Sequence, residues 1–465
     1  MRKTRFEVKY SLLALLLALL LCSCNLFGGN PTNTTTAPTT TIGDPTDLSP
    51  LSDSEYAAFM TLVDDGKVDK AESYYRAWYI NEFRTVKACK AEIAEMIRNM
   101  EGVRGVGDVN TATALYISAY ARALGDNYGY YYPPENFDDY TEDISGEYTG
   151  IGVMVTLLDS GYAEILSVFQ NSPAEEAGLL PGDVLVAVGG EDFALIGYQN
   201  AIDLIRGLEG TSVTITLERE GVRFDATVVR RRVTEQTVDY KMLPGNVGFI
   251  RISSFDDSTY TQFVEAHRAL DAAGAESFVF DVRNNPGGTL TAVVAVLEYI
   301  LPDAYTLPSG HTVEHIVKLN YKIDLYDATI SSIYNFDPHF MDTRTYYEGH
   351  AITEPMVVLA NGNTASAGEL FTSSLMDYDV AEMIGEQTFG KGIGQSSFSM
   401  GKDGSALVMT VFSYDPPVQP NYQGVGIVPD QTVSLSEAAA KKNIYKLTLE
   451  EDAQLLAALA SLGAQ

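Results

Sequence analysis

Two side chains 25 residues apart, Ser366 and Lys391, could together attack a carbonyl carbon. A serine hydroxyl is a weak nucleophile until a neighbouring base takes its proton. Lys391 lies in T-F-G-K-G-I-G-Q. A lysine between glycines can lose its hydration, and burial lowers an ammonium pKa toward the range of a general base. Gln395, four residues on, is placed to hydrogen-bond that lysine, or it is a plain turn residue. Ser366 opens a predicted helix and forms S-x-x-E with Glu369, so it also reads as half of a capping box. The two roles are compatible, because a helix N-terminus stabilises developing negative charge. The oxyanion needs two donors. One candidate is the N–H of Ala367. The other comes from Gly287 or Gly288 in D-V-R-N-N-P-G-G (281–288), where the alternative is a tight strand-to-helix turn.

Other chemistries fit less well. The formal net charge of −31 argues against nucleic acid as a partner, since phosphate binding needs basic patches. G-E-Q-T-F-G-K-G (385–392) nearly matches a nucleotide phosphate loop, but Gly392 stands where a hydroxyl must hold magnesium. H-T-V-E-H (311–315) matches an inverted zinc-peptidase string. Its β-branched, alternating neighbours predict a strand, which sets His311 and His315 about 13 Å apart at ~3.3 Å per residue. No metal and no cofactor are therefore expected.

The elements that must position these residues follow in order. Arg2, Lys3, Arg5 and Lys9 precede an apolar run, Leu12 to Leu21, too short to cross a bilayer. Residues 24–50 are rich in Thr, Pro, Gly and Asn and read as a flexible linker. Residues 51–140 read as helical, with Ser54 and Asp53 as opening caps and an aromatic stripe of Tyr74, Tyr75, Trp78, Tyr79 and Phe83 facing a core. Cys89 in this region reads as a small buried residue. Residues 145–235 read as a β-rich module with two helices and a hairpin at Glu220-Gly221. Residues 236–434 alternate strand and helix, and 435–465 read as a helical tail. The fold class expected is multidomain α+β: a helical N-terminal region, the β-rich module, an α/β core and the tail.

Three resemblances sharpen this picture. L-C-S-C (21–24) resembles a bacterial lipoprotein cleavage box, which implies a signal peptide over 1–23 and a lipid on Cys24. S-P-A-E-E-A-G-L and P-G-D-V-L within 145–235 resemble a PDZ domain. In that family a loop before the groove strand binds a C-terminal carboxylate and the peptide adds as a strand. The matching residues are Gly150, Ile151, Gly152 and Val153. Finally, D-V-R-N-N-P-G-G, T-A-S-A-G-E and G-E-Q-T-F-G-K-G-I-G-Q, placed after such a module, resemble the C-terminal processing peptidases, or tail-specific proteases. Those are serine peptidases with a Ser-Lys dyad assisted by Gln, which implies that role for Ser366, Lys391 and Gln395. One departure stands out: Thr364 and Gly368 replace the two serines that usually flank the nucleophile. The resemblance implies polypeptide substrates with free C-terminal tails, a possible homodimer through the helical ends, and an extracytoplasmic, membrane-anchored bacterial protein. It also suggests Arg206 as a contact between the PDZ module and the peptidase, with a solvated arginine as the alternative. The alternative is a non-catalytic PDZ scaffold that binds envelope protein C-termini.

Overall fold

The computed structural model describes residues 49–464 apart from 101–102, 135–136, 138–140, 143–144, 303, 311, 314, 324–327 and 335–351. The signal peptide, Cys24 and most of the linker lie outside the described residues, as does much of 302–350. The chain forms two compact units.

The larger unit holds the β-rich module and the α/β core. In the module, the strands run in the order Val153–Leu157, Ala163–Val168, Val184–Val188, Ser212–Arg219 and Val222–Val229, with Glu191–Asp192 paired to the third. Alternating apolar residues such as Ile165, Leu185, Ile215 and Leu217 turn inward onto Phe193, Ala201 and Ile205. Glu220 and Gly221 both have positive φ, 52° and 79°. That pair gives a turn whose twist matches the flanking strands. Its helices are Pro173–Glu176, Phe193–Ile196 and Tyr198–Ile205, three where two were expected, and the last ends where Arg206 turns extended.

The core is a six-stranded sheet: Val238–Leu243, Val247–Ile252, Ser277–Asp281, Met356–Ala360, Ala381–Gly385 and Gln431–Thr432. The first pair is antiparallel and every later pair is parallel. Ser277–Asp281 and Met356–Ala360 are buried at every residue, as central parallel strands are when both faces are covered. Helices Thr259–Ala272, Leu290–Ile300 and Ala367–Asp377 connect them. The predicted helical tail is broken into Glu437–Ala440, Ile444–Lys446 and Ala453–Ser461, because only the last piece has an apolar face that reaches the core.

A buried ion network ties that tail to the sheet. Arg283 donates to Asp281 Oδ1 and Oδ2 and to Asp452 Oδ1 and Oδ2, each at 2.8 Å, and to Gln454 at 2.9 Å. Arg251 donates to Asp281 at 2.7 Å and lies over the Tyr445 ring.

The smaller unit comprises 49–138, 319–332 and 393–414 among the described residues, so two pieces of the predicted α/β stretch cluster with the N-terminal helices. The helices are Asp53–Met60, Asp65–Trp78, Val86–Arg98 and Val109–Ala123. The first is capped by Ser52, not by Ser54 or Asp53, because Ser52 and Glu55 complete a capping box. Tyr75 and Tyr79 are buried, while Tyr74 and Trp78 pack against Phe398, with ring centroids 4.9 and 6.3 Å away. Cys89 is buried in the third helix.

The ion network gives a prediction. Burial alone would raise the Asp281 carboxyl, but Arg283 and then Arg251 hold it well below the usual carboxylate range. Asp281→Asn leaves buried guanidinium groups facing a neutral amide and should cost about 3–5 kcal/mol in urea titrations. A depressed carboxyl stabilises fully above its unfolded value, near pH ~4, and the gain is lost as the pH falls through the folded value. The wild type's margin over the variant should therefore stay flat at neutral pH and shrink below about pH 4. A margin that grew on acidification would contradict this account.

Candidate active site

Three adjacent parallel strands end side by side: Ser277–Asp281, Met356–Ala360 and Ala381–Gly385. Their C-terminal ends feed the three loops that carry D-V-R-N-N-P-G-G, N-G-N-T-A-S and G-E-Q-T-F-G-K-G. The crevice beyond the carboxyl ends of parallel strands is where open α/β sheets bind ligands. The sheet thus gathers motifs that lie about a hundred residues apart in sequence.

Ser366 stands on a sharp turn with φ 54° and ψ −119°, a conformation a non-glycine residue adopts only when its surroundings enforce it. The enforcement is visible. The Ser366 N–H donates to Glu369 Oε2 at 3.0 Å, and the carbonyl of Ser366 accepts from the N–H of Glu369 and Leu370. Ser366 and Glu369 form the expected capping box, so the local backbone and Glu369 hold the turn.

Glu369 is fully buried and its carboxylate takes four donors. Oε1 accepts from Thr388 Oγ1 at 2.6 Å and from Gly390 N–H at 2.7 Å. Oε2 accepts from Lys391 N–H at 2.7 Å as well as from Ser366 N–H. The amides of Ser366 and Lys391 therefore meet at one oxygen. Sequence reading assigned Glu369 only to a cap. The missed signal was that a carboxylate at the third position of this helix is buried, and a buried charge must be matched by several donors.

The glycines beside Lys391 serve close packing. A Cβ on Gly390 would sit 2.8 Å from Gly426 N, and one on Gly392 would sit 2.2 Å from Asn421 Oδ1. Gly392 N–H donates to Gln423 Oε1, Asn421 Nδ2 donates to the Gly392 carbonyl, and Thr388 Oγ1 accepts from Ile427 N–H. Segment 421–427 thus braces the lysine loop, a role not foreseen from sequence. Lys391 itself is half-buried.

The glycine loop lies against the serine. A Cβ on Gly287 would be 2.7 Å from Ser366 Cβ and 3.0 Å from Ala367 N. Gly287 N–H is already given to Asn285 Oδ1 at 2.8 Å, while among the described residues Gly288 and Ala367 N–H meet no protein acceptor. Asparagines latch the two loops: Asn361 and Asn363 donate to Asn284 Oδ1, and Asn284 N–H donates to Asn361 Oδ1. Thr364 donates to the Val282 carbonyl at 2.8 Å. A Cβ on Gly368 would sit 3.2 Å from the Asn285 carbonyl and side-chain oxygens and 3.2 Å from the Thr364 methyl carbon, so glycine leaves room for both neighbours.

Gln395 lies in the other unit, on strand Ile393–Ser399, with its Nε2 donating to Thr410 Oγ1 at 3.1 Å.

In the β-rich module, strand Val153–Leu157 pairs only with Ala163–Val168 and is an edge. Beside it lies a cavity of ≈ 240 Å³ lined by Ile151, Val153, Phe169, Ile202, Tyr148 and Arg206. Gly152 has φ 80°, and a Cβ there would sit 2.4 Å from Ser172 Cβ. Gly150 ends the short strand that precedes this loop. The Arg206 guanidinium stands 4.9 Å from the Tyr148 ring centroid. Burial, then Glu235, push the Tyr148 hydroxyl well above its ordinary value, against the opposing pull of Arg206.

Comparison with known proteins fits this geometry. The model for peptidase family S41 matches residues 246–433, which contain all three loops, and a PDZ domain model matches residues 164–219. A carboxyl-terminal-processing protease of Picosynechococcus sp. is 30% identical over 320 residues, 67% of this chain and 70% of that protein. The chain belongs to peptidase family S41. Two other relatives of this S41 family member are matched over a smaller share of their own length. A carboxyl-terminal-processing protease of Synechocystis sp. is 30% identical and a carboxy-terminal processing protease CtpA of Bacillus subtilis is 31% identical. The match covers 64% and 63% of this chain but 66% and 58% of those proteins. A crystal structure described as an S41 protease of Bacteroides fragilis has a TM-score of 0.53 at 18% identity, covering 85% of this chain and 97% of that one, and shares the fold.

The Glu369 clamp is testable. Glu369→Gln replaces an acceptor by a donor inside a cluster of donors, and each buried donor left unsatisfied costs about 1–3 kcal/mol. Reaction of Ser366 with a fluorophosphonate probe should slow roughly 10- to 100-fold while the circular dichroism spectrum stays native. Labelling at the wild-type rate would remove the clamp from the account.

Proposed function

We propose that this chain is a serine endopeptidase of the C-terminal processing type, with Ser366 as nucleophile and Lys391 as general base. The observation that carries the reading is the single Glu369 oxygen at which the Ser366 and Lys391 amides meet, beside the Gly287-Gly288 loop.

In this reading neutral Lys391 takes the Ser366 proton as Oγ attacks a peptide carbonyl. The oxyanion is held by the N–H of Ala367, at the start of a helix, and by that of Gly288, since the Gly287 N–H is committed to Asn285. The lysine ammonium protonates the departing amine, an acyl-enzyme remains, and water hydrolyses the ester. The resemblance assigns Gln395 an assisting role in the dyad.

The PDZ module supplies substrates. Its edge strand offers backbone groups to an added strand, and the apolar cavity beside it suits an apolar terminal side chain. The loop Gly150–Val153 would bind the terminal carboxylate. Free polypeptide tails are therefore the proposed substrates. We further infer a cell-envelope location through lipid on Cys24, supported by the basic start, the apolar run and L-C-S-C. Among the described residues no helix is long and apolar enough to cross a membrane. A homodimer through the helical ends belongs to the same reading.

Two outcomes are expected. Ser366→Ala and Lys391→Ala should each lower peptide cleavage at least about a thousandfold with melting temperature unchanged, the scale on which members of a catalytic unit act. Activity in either variant would sink the dyad. A carboxamide-capped tail peptide should be cut more slowly than its free-acid form; equal rates, followed by mass spectrometry, would reject carboxylate capture. Tail binding with no cleavage by the wild type would favour the scaffold instead.

A further inference from the structure

Within the larger unit the PDZ module joins the core through a ribbon of two strands, Glu147–Gly150 and Arg231–Thr234. Among the described residues these strands pair antiparallel with each other and with no third strand. An isolated two-stranded ribbon is marginally stable at best, so it does not by itself fix where the module sits.

A second attachment lies away from the ribbon. Thr156, on the edge strand Val153–Leu157, stands opposite Glu164 on the neighbouring strand Ala163–Val168. Both side chains meet the chain's own helical tail. Asn443 Nδ2 donates to Thr156 Oγ1 at 3.4 Å, and Lys446 Nζ donates to the Glu164 carboxylate. The Asn443 amide is used at both ends, since its Oδ1 accepts from Tyr445 N–H at 3.0 Å and starts the short turn Ile444–Lys446. The Glu164 side chain is only 17% exposed, so its pair with Lys446 is screened less than an open surface pair.

The same turn is tied to the core. Between Asn443 and Lys446 the Tyr445 ring lies against the Arg251 guanidinium, 4.6 Å from the ring centroid, and Arg251 donates to Asp281 at the end of a central strand. Further along, Asp452 takes Arg283, which belongs to the glycine loop. One turn therefore touches the module through Asn443 and Lys446 and the core through Tyr445.

We propose that Lys446 and Glu164 are positioning residues that seat the PDZ module, and with it a captured substrate end, at a set distance from Ser366. The turn then acts as a ruler that decides how far from its C-terminus a substrate is cut. This inference rests on the reading above of Ser366 as nucleophile and of carboxylate capture by the module. An extended peptide advances ~3.3 Å per residue, so each such step of play in the seat moves the cut by one residue. A partly exposed ion pair shifts an equilibrium by up to about fivefold. Its loss widens the set of cut positions and leaves cleavage itself in place.

The test uses the full chain and a long peptide of one repeated sequence, ending in an apolar residue with a free carboxylate. Every repeat offers the same bonds, so product masses report distance from the C-terminus alone. The wild type should give a narrow set of cuts. Lys446→Glu and Glu164→Lys each set like charges together, and each should raise the yield at flanking positions, relative to the main one, roughly two- to fivefold. The double reversal restores an opposite pair and should restore the narrow set. Fluorophosphonate labelling of Ser366 needs no captured tail and should stay within about twofold of wild type throughout. A merely structural defect, passed through Tyr445 and Arg251 to the glycine loop, would slow that labelling. If melting shows that Lys446→Glu is unfolded, Lys446→Ala removes the pair without repulsion and is scored in the same way. A wild-type cut pattern in either single reversal, a double reversal no narrower than the singles, labelling that falls in step with the spread, or an already broad wild-type pattern would each overturn the proposal. Failure of the underlying reading is distinguishable. Ser366→Ala that still cuts would sink the dyad, and a wild type that cuts free-acid and carboxamide-capped peptides at the same rate and places would sink carboxylate capture. A wild-type pattern narrow for the acid and broad for the capped form, yet unmoved by the reversals, would overturn the ruler alone.

Discussion

One buried carboxylate organises the site. Glu369 brings two oxygens and no donor to a fully buried place, so its lone pairs are best matched by donors of the protein. Four do, from Ser366, Thr388, Gly390 and Lys391. The geometry is mutual. The charge is tolerated only because both loops close on it, and the loops close there because the charge rewards their amides. The strained turn at Ser366 is one result, since its N–H must point back at a residue three positions on in its own helix.

Around that clamp the sheet does the coarse positioning and small residues do the fine positioning. Parallel strands deliver three loops to one end. Gly287, Gly390 and Gly392 then permit approaches that any Cβ would block. The same strand that leads into the glycine loop ends at Asp281 and Arg283, whose buried network reaches Asp452. The tail is thereby tied to the base of the loop. Such a network is costly to break and adds little beyond what apolar packing would give.

The two units contribute different things. Serine, lysine, glycine loop and PDZ cavity belong to one. Gln395 belongs to the other, on a strand held by aromatic packing from the helix Asp65–Trp78 and by Asp126.

Much was legible in the residues themselves. Periodicity marks the helices and strands, hairpin chemistry marks Glu220-Gly221, and the spacing of Ser366, Lys391 and Gln395 suggests an acyl-transfer site before any fold is known. Those signals are local: a period, a turn pair or a motif spans a few residues and survives in one dimension. What only the tertiary structure decided involves partners far apart in the chain. Sequence offered Ser366 and Glu369 as a capping box; in the fold the box forms and Glu369 reaches on to the lysine loop as well. Sequence offered Gly287 and Gly288 equally; the fold commits one N–H to Asn285. The tail read as one helix and is three pieces, since its apolar face is continuous only in the last. The bracing segment 421–427 and the Asp126–Thr410 pair carry no motif at all. A hydrogen bond between residues 284 positions apart leaves no trace in local pattern, because it is closure of the chain, not composition, that brings the donor to its acceptor.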